Sequence, residues 1–288
     1  MPAARPLGAG GPAREAWRRL RRNRLAMLGA AVLLALAALA ALTPWMAPYS
    51  YAKTDLAYGA RPPSWQHPLG TDELGRDLLT RIMWGARVSL GVGVLATLVS
   101  LTIGVSYGAV AGYLGGRGDQ LMMRVVDILY GLPFMFFVII LMVVLGRNIF
   151  NLFVALGAVQ WLTMARIVRG QVLALKAREF VQGARAVGGR PLRILAIHLV
   201  PNAAGPIIVY ATLTVPAVML EEAFLSFLGL GVQPPMASWG SLASEGAVAM
   251  EPYPWLILFP GLALTLTLFS LNFLGDGLRD ALDPQVAR

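Results

Sequence analysis

The sequence contains no cysteine, two histidines and two lysines, and these scarcities exclude several kinds of chemistry. Without cysteine the chain has no disulfide, iron–sulfur cluster or thiol nucleophile. A Walker A loop needs a lysine that directly follows glycine, and neither Lys53 nor Lys176 does so. We therefore expect a chain that has no ATP site of this type, needs no cofactor and is not itself an enzyme.

Metal chemistry is also poorly supported. His67 and His198 fall on opposite sides of the membrane in the topology predicted below, so they cannot share one metal ion. The acidic stretch GTDELGRD at 70–77 lacks the ligand spacing of an EF-hand calcium loop. The sequence predicts no metal site.

Charged residues make up 14% of the chain and hydrophobic residues 57%, whereas soluble domains carry about 25% charged residues. Mean hydropathy is +0.65. A membrane-spanning helix needs about 20 mostly apolar residues. The sequence offers six such stretches, at 26–46, 88–114, 126–146, 149–168, 203–221 and 254–275. The predicted fold class is all-α, a polytopic membrane protein with about six transmembrane helices.

Basic residues predict the orientation of these helices. With the N-terminus in the cytoplasm, 18 of the 24 Lys and Arg residues lie on the cytoplasmic side, as the positive-inside rule requires. Both termini are then cytoplasmic. The net charge of +9 is mainly a topology signal, so we expect a lipid bilayer and no nucleic acid as partner. The first apolar stretch is longer than a signal peptide core and is interpreted as an uncleaved anchor.

The domain organisation follows from this topology. Residues 1–25 form a cytoplasmic segment, 26–46 the anchor, 47–87 an extracytoplasmic loop, 88–275 a core of five helices and 276–288 a cytoplasmic tail. Within the core, 176–202 is a cytoplasmic loop and 222–252 an extracytoplasmic re-entrant segment, because its apolar run is too short to cross.

Three features inside the predicted spans carry expectations. Gly104, Gly108, Gly112 and Gly116 recur every four residues, which predicts close helix packing within one subunit rather than a dimer face. Prolines at 133 and 216 should kink their helices. Asp127 is expected to pair with the arginine at 124 on the same helix face.

Glu221 and Glu222 are carboxylates at the predicted outer end of the fifth span. They could line a transport pathway or gate, since ionisable groups in membranes are often functional. The alternative is that both side chains reach the membrane interface.

The loop 176–202 reads as two short helices joined by a hinge. Residues 178–187 suit a helix with an apolar face at Phe180, Ala184 and Val187, which Gly188 can close. Pro191 suits the first turn of a second helix, whose stripe would be leucines 192, 195 and 199, and Pro201 would end the unit. Physics alone leaves two interpretations: a hairpin resting on anionic lipid, or an element docking into a partner.

A family resemblance favours docking. The pattern Gln182-Gly183-Ala184-x-x-x-Gly188 with Pro201 thirteen residues later resembles the EAA loop of ABC importer permeases. The chain departs from that pattern: Gln182 replaces Glu, Gly183 replaces Ala and valine rather than leucine precedes Pro201. The first change removes a charge that would face the ATPase.

Longer motifs extend the resemblance from about residue 16 to 284. The stretches HPLGTDELGRDLLTRIMWGARVSLGVG (67–93), EAFLSFLGLGVQPPMASWG (222–240) and NFLGDGLRDALDP (272–284) resemble the dipeptide/oligopeptide/nickel class of these permeases, and specifically its C-type subunit. The fold implied is that of a type I ABC importer permease in the cell (inner) membrane.

The resemblance implies a function and a set of partners. The chain would form the translocation pathway with a sister permease, two ATP-binding subunits would dock on the cytoplasmic side, and an extracytoplasmic solute-binding protein would deliver peptides. Nickel or another small solute is an alternative ligand, and a stand-alone secondary transporter is an alternative mechanism. The implied ATPase-coupling residues are Gln182, Gly183, Ala184, Arg185, Gly188, Pro191 and Pro201. Residues 222–240 would form an outer gate or a platform for the binding protein.

Overall fold

The computed structural model describes residues 12–282, and within that range the chain is helical with no strand. The principal helices are α1 (Pro12–Arg22), α2 (Arg24–Met46), α3 (Leu78–Leu114), α4 (Gly116–Tyr130), α5 (Phe134–Leu145), α6 (Ile149–Lys176), α7 (Glu179–Ala186), α8 (Pro191–Arg193), α9 (Ala204–Phe227), α10 (Trp239–Val248) and α11 (Trp255–Leu282). A π-helical segment (Ile194–Leu199) and a 3-10 turn (Pro201–Ala203) join α8 to α9. The predicted all-α fold class is confirmed.

Polar side chains fix where four of the long or functional helices begin. Asn23, Asp77 and Asn148 accept hydrogen bonds from backbone N–H groups in the first turns of α2, α3 and α6. Ser238 does the same for α10 and forms a reciprocal capping box with Ser241. Each cap satisfies a donor that a helix start leaves unpaired. These four side chains therefore set the first residues of α2, α3, α6 and α10.

Five stretches of helix are long and apolar enough to span a membrane within residues 12–282, and the pair α4–α5 makes a sixth if it is one broken span. The two helices of this pair meet at 83°. The predicted kink at Pro133 is therefore a complete break. The stretch 126–146, expected to be one helix, is interrupted at 131–133, where proline supplies no backbone donor.

The glycine ridge of α3 packs against α6 of the same chain. At Gly104, Gly108 and Gly112 an added Cβ would overlap atoms of α6, and at Gly108 the overlap is with the backbone of Ala165. The expectation of packing within one subunit is correct for these three residues. Gly116 instead lies at the start of α4 with φ of +53° and faces open space.

Helices α3 and α6 run in the same direction. Gly157, in the first half of α6, faces Val99, whereas Val172, near the end of α6, faces Gly112. Because both helices run the same way, the chain between them must return to the starting end of the bundle. The pair α4–α5 is the only segment available for that return, so it acts as one broken crossing.

The bundle has two distinct ends. At one end, named the α10 end, the indole nitrogen of Trp239 donates to the carbonyl of Ile82 near the start of α3 (3.0 Å), and the indole nitrogen of Trp255 donates to that of Thr71 (3.2 Å). At the other, named the α7 end, the Lys176 ammonium donates to the carbonyl of Tyr113.

The described chain starts and stops at the α7 end. Leu20 of α1 packs against Ala281 of α11, and an added Cβ at Gly205, at the start of α9, would contact Leu282. Residues 12–22, the end of α11 and the loop 176–202 therefore share one end of the bundle. This is the arrangement expected for an even number of crossings.

Asp72 and Arg76 of the 70–77 stretch form a largely buried network with Arg81 and Glu245 at the α10 end. Arg81 is 1% exposed, and its Nη1 lies 2.8 Å from Asp72 Oδ2 and 2.7 Å from Glu245 Oε2 of α10. Arg76 Nε also binds Asp72 Oδ2 at 2.7 Å. These bonds fasten the loop before α3 to α10. Across residues 12–282 no three potential metal ligands come together.

Asp127 pairs with a different arginine from the one expected. Its Oδ1 lies 2.9 Å from Nη2 of Arg166 on α6, and the Arg166 guanidinium also lies 4.1 Å from the ring centre of Tyr130. The expected partner, Arg124, shares the helix of Asp127. The cross-helix contact replaces the local pair because α4 packs directly against α6.

Candidate functional site

Helix α7, the first helix of the loop 176–202, has one buried side chain, and this side chain attaches it to the bundle. Val181 is fully buried and packs in an apolar cluster with Val172 of α6 and with Ile194 and Leu199 of the π-helical segment. Ala184 packs at the edge of the same cluster. One side of α7 is thus fixed to α6 and to the segment that enters α9.

The outward side of α7 carries part of the expected apolar face. Phe180 and Val187, predicted to form an apolar face with Ala184, are 45% and 86% exposed. The predicted stripe of the following segment is shifted, because Leu192 is exposed while Ile194 is buried. The apolar face predicted for α7 is therefore its free side, which lipid or a partner can cover.

Gly188 closes α7 as predicted. Its φ is +79°, its N–H donates to Arg185 O, and the N–H of Gly189 donates to Ala184 O, each at 2.9 Å. This pair of bonds is the Schellman arrangement, which requires a left-handed residue at the position of Gly188. Any side chain at this position would strain the backbone.

Of the predictions made for the two prolines of the loop, one is confirmed and one is wrong. Pro191 starts the second helical piece at its first turn, as predicted. Pro201 does not end helical structure, because the 3-10 turn it begins continues directly into α9. Its position at a helix start explains this, since proline needs no backbone donor there. The loop is therefore continuous with α9.

Polar loop residues contact their own chain. Gln182 Nε2 donates to the carbonyl of Ala177 at 3.2 Å, a bond that a glutamate in this position could not make. The guanidinium of Arg185 lies 5.1 Å from the ring centre of Tyr113 at the end of α3. Gly183 is exposed, and an added Cβ there would meet nothing within 4 Å. Together with Phe180 and Val187, these residues form an exposed surface, named the α7 surface.

Glu221 and Glu222 occupy different environments, and neither ends its helix. Helix α9 continues to Phe227, beyond the span predicted at 203–221. Glu222 is buried, and its Oε1 accepts hydrogen bonds from Ser226 (2.9 Å) and Ser238 (2.6 Å). This carboxylate therefore joins α9 to the cap of α10 and has a structural role.

Glu221 instead lies at a cavity of about 480 Å³ between α9, the middle of α6 and the break between α4 and α5. Its Oε1 accepts a hydrogen bond of 2.8 Å from Gln160 Nε2. Its Oε2 is buried and has no hydrogen-bond partner within residues 12–282. Of the two predicted pathway carboxylates, the structure brings only Glu221 to a cavity.

Sequence reasoning missed Gln160 and the buried Arg81 network. Gln160 is a polar residue inside an apolar run, a signal of a helix face that avoids lipid, but its partner lies 61 positions away in the chain. Arg81 lay in a recognised motif, yet Glu245, which binds it, lies 164 positions away. Neither pairing is encoded in local spacing.

Comparison with known proteins places the chain in a family. A family model described as "Binding-protein-dependent transport system inner membrane component" matches residues 102–288. A second, described as "N-terminal TM domain of oligopeptide transport permease C", matches residues 11–63. The first match alone covers more than half of the chain.

Curated relatives resemble nearly the whole chain. The dipeptide transport system permease protein DppC of Bacillus subtilis is 50% identical over 275 residues, which are 95% of this chain and 86% of the relative. The oligopeptide transport system permease protein OppC of Haemophilus influenzae is 50% identical over 273 residues, 94% of this chain and 88% of the relative. The glutathione transport system permease protein GsiD of Escherichia coli O6:K15:H31 is 39% identical over 289 residues, 99% of this chain and 95% of the relative.

These similarities agree with a bundle of membrane-spanning helices that carries a docked helical loop at one end. The chain is a multi-pass membrane protein and belongs to the family of binding-protein-dependent transport system inner membrane components.

Proposed function

We propose that this chain is a permease subunit of an ATP-driven ABC importer for dipeptides or oligopeptides. It forms the translocation pathway with a sister permease, receives peptide from an extracytoplasmic binding protein, and is driven by two separate ATPase subunits. The relatives named for dipeptides, oligopeptides and glutathione support a peptide as the transported solute. ATP hydrolysis belongs to the partner subunits.

The proposed orientation places the α7 end in the cytoplasm of the cell (inner) membrane. The segments at this end carry most of the Lys and Arg residues, which favours the cytoplasmic side. Both termini are then cytoplasmic, and the α10 end, with the loop 47–77 and α10, faces the binding protein.

The observation that carries the proposal is the two-sided character of α7. One side is fixed to α6 and to the entry of α9 through Val181, while the α7 surface is free and partly apolar. A short amphipathic helix that presents such a surface suits a groove on a partner protein. When the ATPases close around ATP, the movement of α7 passes to α6 and α9, which biases the permease between two packings.

A matched pair of substitutions tests this function. Val187 on the α7 surface and Val248 at the α10 end are 86% and 91% exposed, so Val187→Arg and Val248→Arg make the same change at opposite ends. Each variant is co-purified with the sister permease and the ATPases, and the ATPase retained per permease pair is measured without binding protein. We expect Val187→Arg to lose most of the ATPase and Val248→Arg to retain it.

Uptake by the assembled system gives the second readout. Vesicles that contain the wild-type transporter should accumulate peptide only when both ATP and a loaded binding protein are supplied. Equal ATPase retention by the two arginine variants would return α7 to the role of a helix on the lipid surface. Peptide uptake that persists without ATPase subunits would instead favour a stand-alone transporter.

A further inference from the structure

The cavity beside Glu221 has the position of a solute site within the membrane. It lies against the middle of α6 and against the non-helical backbone of 131–133, where α4 and α5 part. Irregular backbone is tolerated at membrane depth only where protein or water covers it. A volume of about 480 Å³ falls within the range of pockets that hold small ligands.

The cavity lining carries negative charge and no positive charge among the described residues. Glu221 is the only charged side chain among the described residues that line it. Arg166, which lies on α6 in the direction of the α7 end, is not part of the lining, and its guanidinium pairs with Asp127 and stacks on Tyr130 at the cavity edge. A carboxylate removed from water without a cation is costly, and such groups inside membranes commonly have a functional partner.

Gln160 fixes the direction of the carboxylate. Its amide donates to Oε1 of Glu221, and this bond leaves Oε2 as the buried atom that has no partner within residues 12–282. The pair thus presents one acceptor that is held in place and awaits a donor. Tyr130 and Thr163 add neutral polar groups to the lining, and the remaining lining is largely apolar.

We propose that this cavity is a transient binding site for a protonated primary amine, with Glu221 as its counter-ion and Gln160 as the residue that positions the carboxylate. The assignment of that amine to a transported peptide rests on the proposed function. An ammonium group supplies both the positive charge and the hydrogen-bond donors that Oε2 lacks. In a peptide the amine is either the amino terminus or a lysine side chain.

Direct binding to the assembled transporter tests the site without interference from the binding protein. The wild-type complex of both permeases and the ATPases, in lipid nanodiscs, is titrated with radiolabelled trialanine and with its N-acetylated form. We expect trialanine to bind more tightly than the N-acetylated peptide. Glu221→Gln should weaken the binding of trialanine by about 10- to 100-fold and abolish this discrimination, as loss of a charge-assisted hydrogen bond predicts.

Two further variants and a third peptide sharpen the result. Glu251→Gln makes the same chemical change at an exposed position outside the cavity and should leave binding unchanged. Gln160→Met keeps the carboxylate but removes its anchor, so it should weaken trialanine binding less and preserve discrimination. If Glu221→Gln does not assemble, Gln160→Met decides. An N-acetylated tripeptide with a central lysine distinguishes a lysine amine from the amino terminus.

Three results would overturn the inference. The first is no measurable binding of trialanine to the wild-type complex, and the second is that Glu221→Gln still binds trialanine more tightly than the N-acetylated peptide. The third is that Glu221→Gln weakens the association of the two permeases but leaves peptide binding unchanged. The last result would assign the carboxylate to a basic side chain of the sister permease. Import measured with loaded binding protein separates the two proposals. If the wild type and Glu221→Gln import trialanine equally well, the amine site is rejected and the proposed function stands. If the wild type imports no peptide, the proposed function is rejected.

Discussion

Shortening the buried side chain that anchors α7 should uncouple ATPase movement from the helical bundle without changing the α7 surface. Val181 is fully buried in the cluster that joins α7 to α6 and to the π-helical segment. Val181→Ala deletes two methyl groups, each worth about 0.8 kcal/mol of burial, and leaves a small cavity. The expected loss of docking free energy is about 2 to 3 kcal/mol.

The expected loss of docking free energy is large for α7, which has only eight residues. Helices of this length are not stable alone in water, so α7 depends on its docking to the bundle. A change of about 2 kcal/mol raises the ratio of undocked to docked α7 by about 30-fold. We expect an ATPase that still binds the permease but whose hydrolysis responds weakly to loaded binding protein.

Amide hydrogen exchange measures the docking directly. Amides of residues 181–186 should exchange about 30-fold faster in Val181→Ala, while those of α10 remain unchanged. Phe180→Ala is the matched control, because Phe180 neighbours Val181 but lies on the free side of α7. That variant should leave exchange unchanged and lower ATPase retention.

Hydrogen exchange and ATPase stimulation in Val181→Ala together test whether docking of α7 transmits the ATPase movement. Faster exchange with full stimulation of hydrolysis would mean that docking of α7 to the bundle does not transmit the ATPase movement. Unchanged exchange in Val181→Ala would mean that the apolar cluster does not hold α7, and the magnitude derived from burial would be wrong.

Three other substitutions test the packing that supports the loop and cavity. Gly108→Ala should lower the thermal midpoint in detergent because its Cβ would overlap the α6 backbone, whereas Gly91→Ala, which faces open space, should leave the midpoint unchanged or raise it. Arg81→Met should destabilise by about 1.5 to 3 kcal/mol because the buried Asp72 loses one of its two arginine partners and keeps Arg76, and the exposed Arg87→Met should cost little; denaturant titration compares them. Ser238→Ala should cost about 1 to 3 kcal/mol by removing both the α10 cap and a bond to a buried carboxylate, and faster exchange of the α10 amides would report it.

The apolar runs predicted the membrane helices well because about 20 apolar residues have few alternatives to a spanning helix. They failed at 131–133, where residues 128–146 carry no charged side chain and yet α4 and α5 meet at 83°. Hydropathy measures transfer into the bilayer and carries no information on whether a span is straight. The proline at 133 gave the position of the disturbance but not its angle.

The apolar face of α7 was predicted from the sequence, but the side chain that anchors the helix was not. The predicted face includes Phe180 and Val187, which the structure leaves exposed. Val181 was the actual anchor. Periodicity identifies an apolar face but cannot say which contact covers it. The Gly188 cap, by contrast, is a local backbone requirement and was predicted correctly.

The position of Gln160 and Glu221 in the chain connects the two proposals. Helix α6 ends where the loop 176–202 begins, and α9 starts where it ends, so the pair joins the two helices that flank the loop. An ATPase that shifts α7 acts on both helices, because Val181 packs against α6 and against the segment that enters α9. Any change in the separation of α6 and α9 alters the bond that orients the carboxylate. Under the two proposals, ATPase movement would reach the cavity through two helices in direct contact, and release of an amine would need no further moving element.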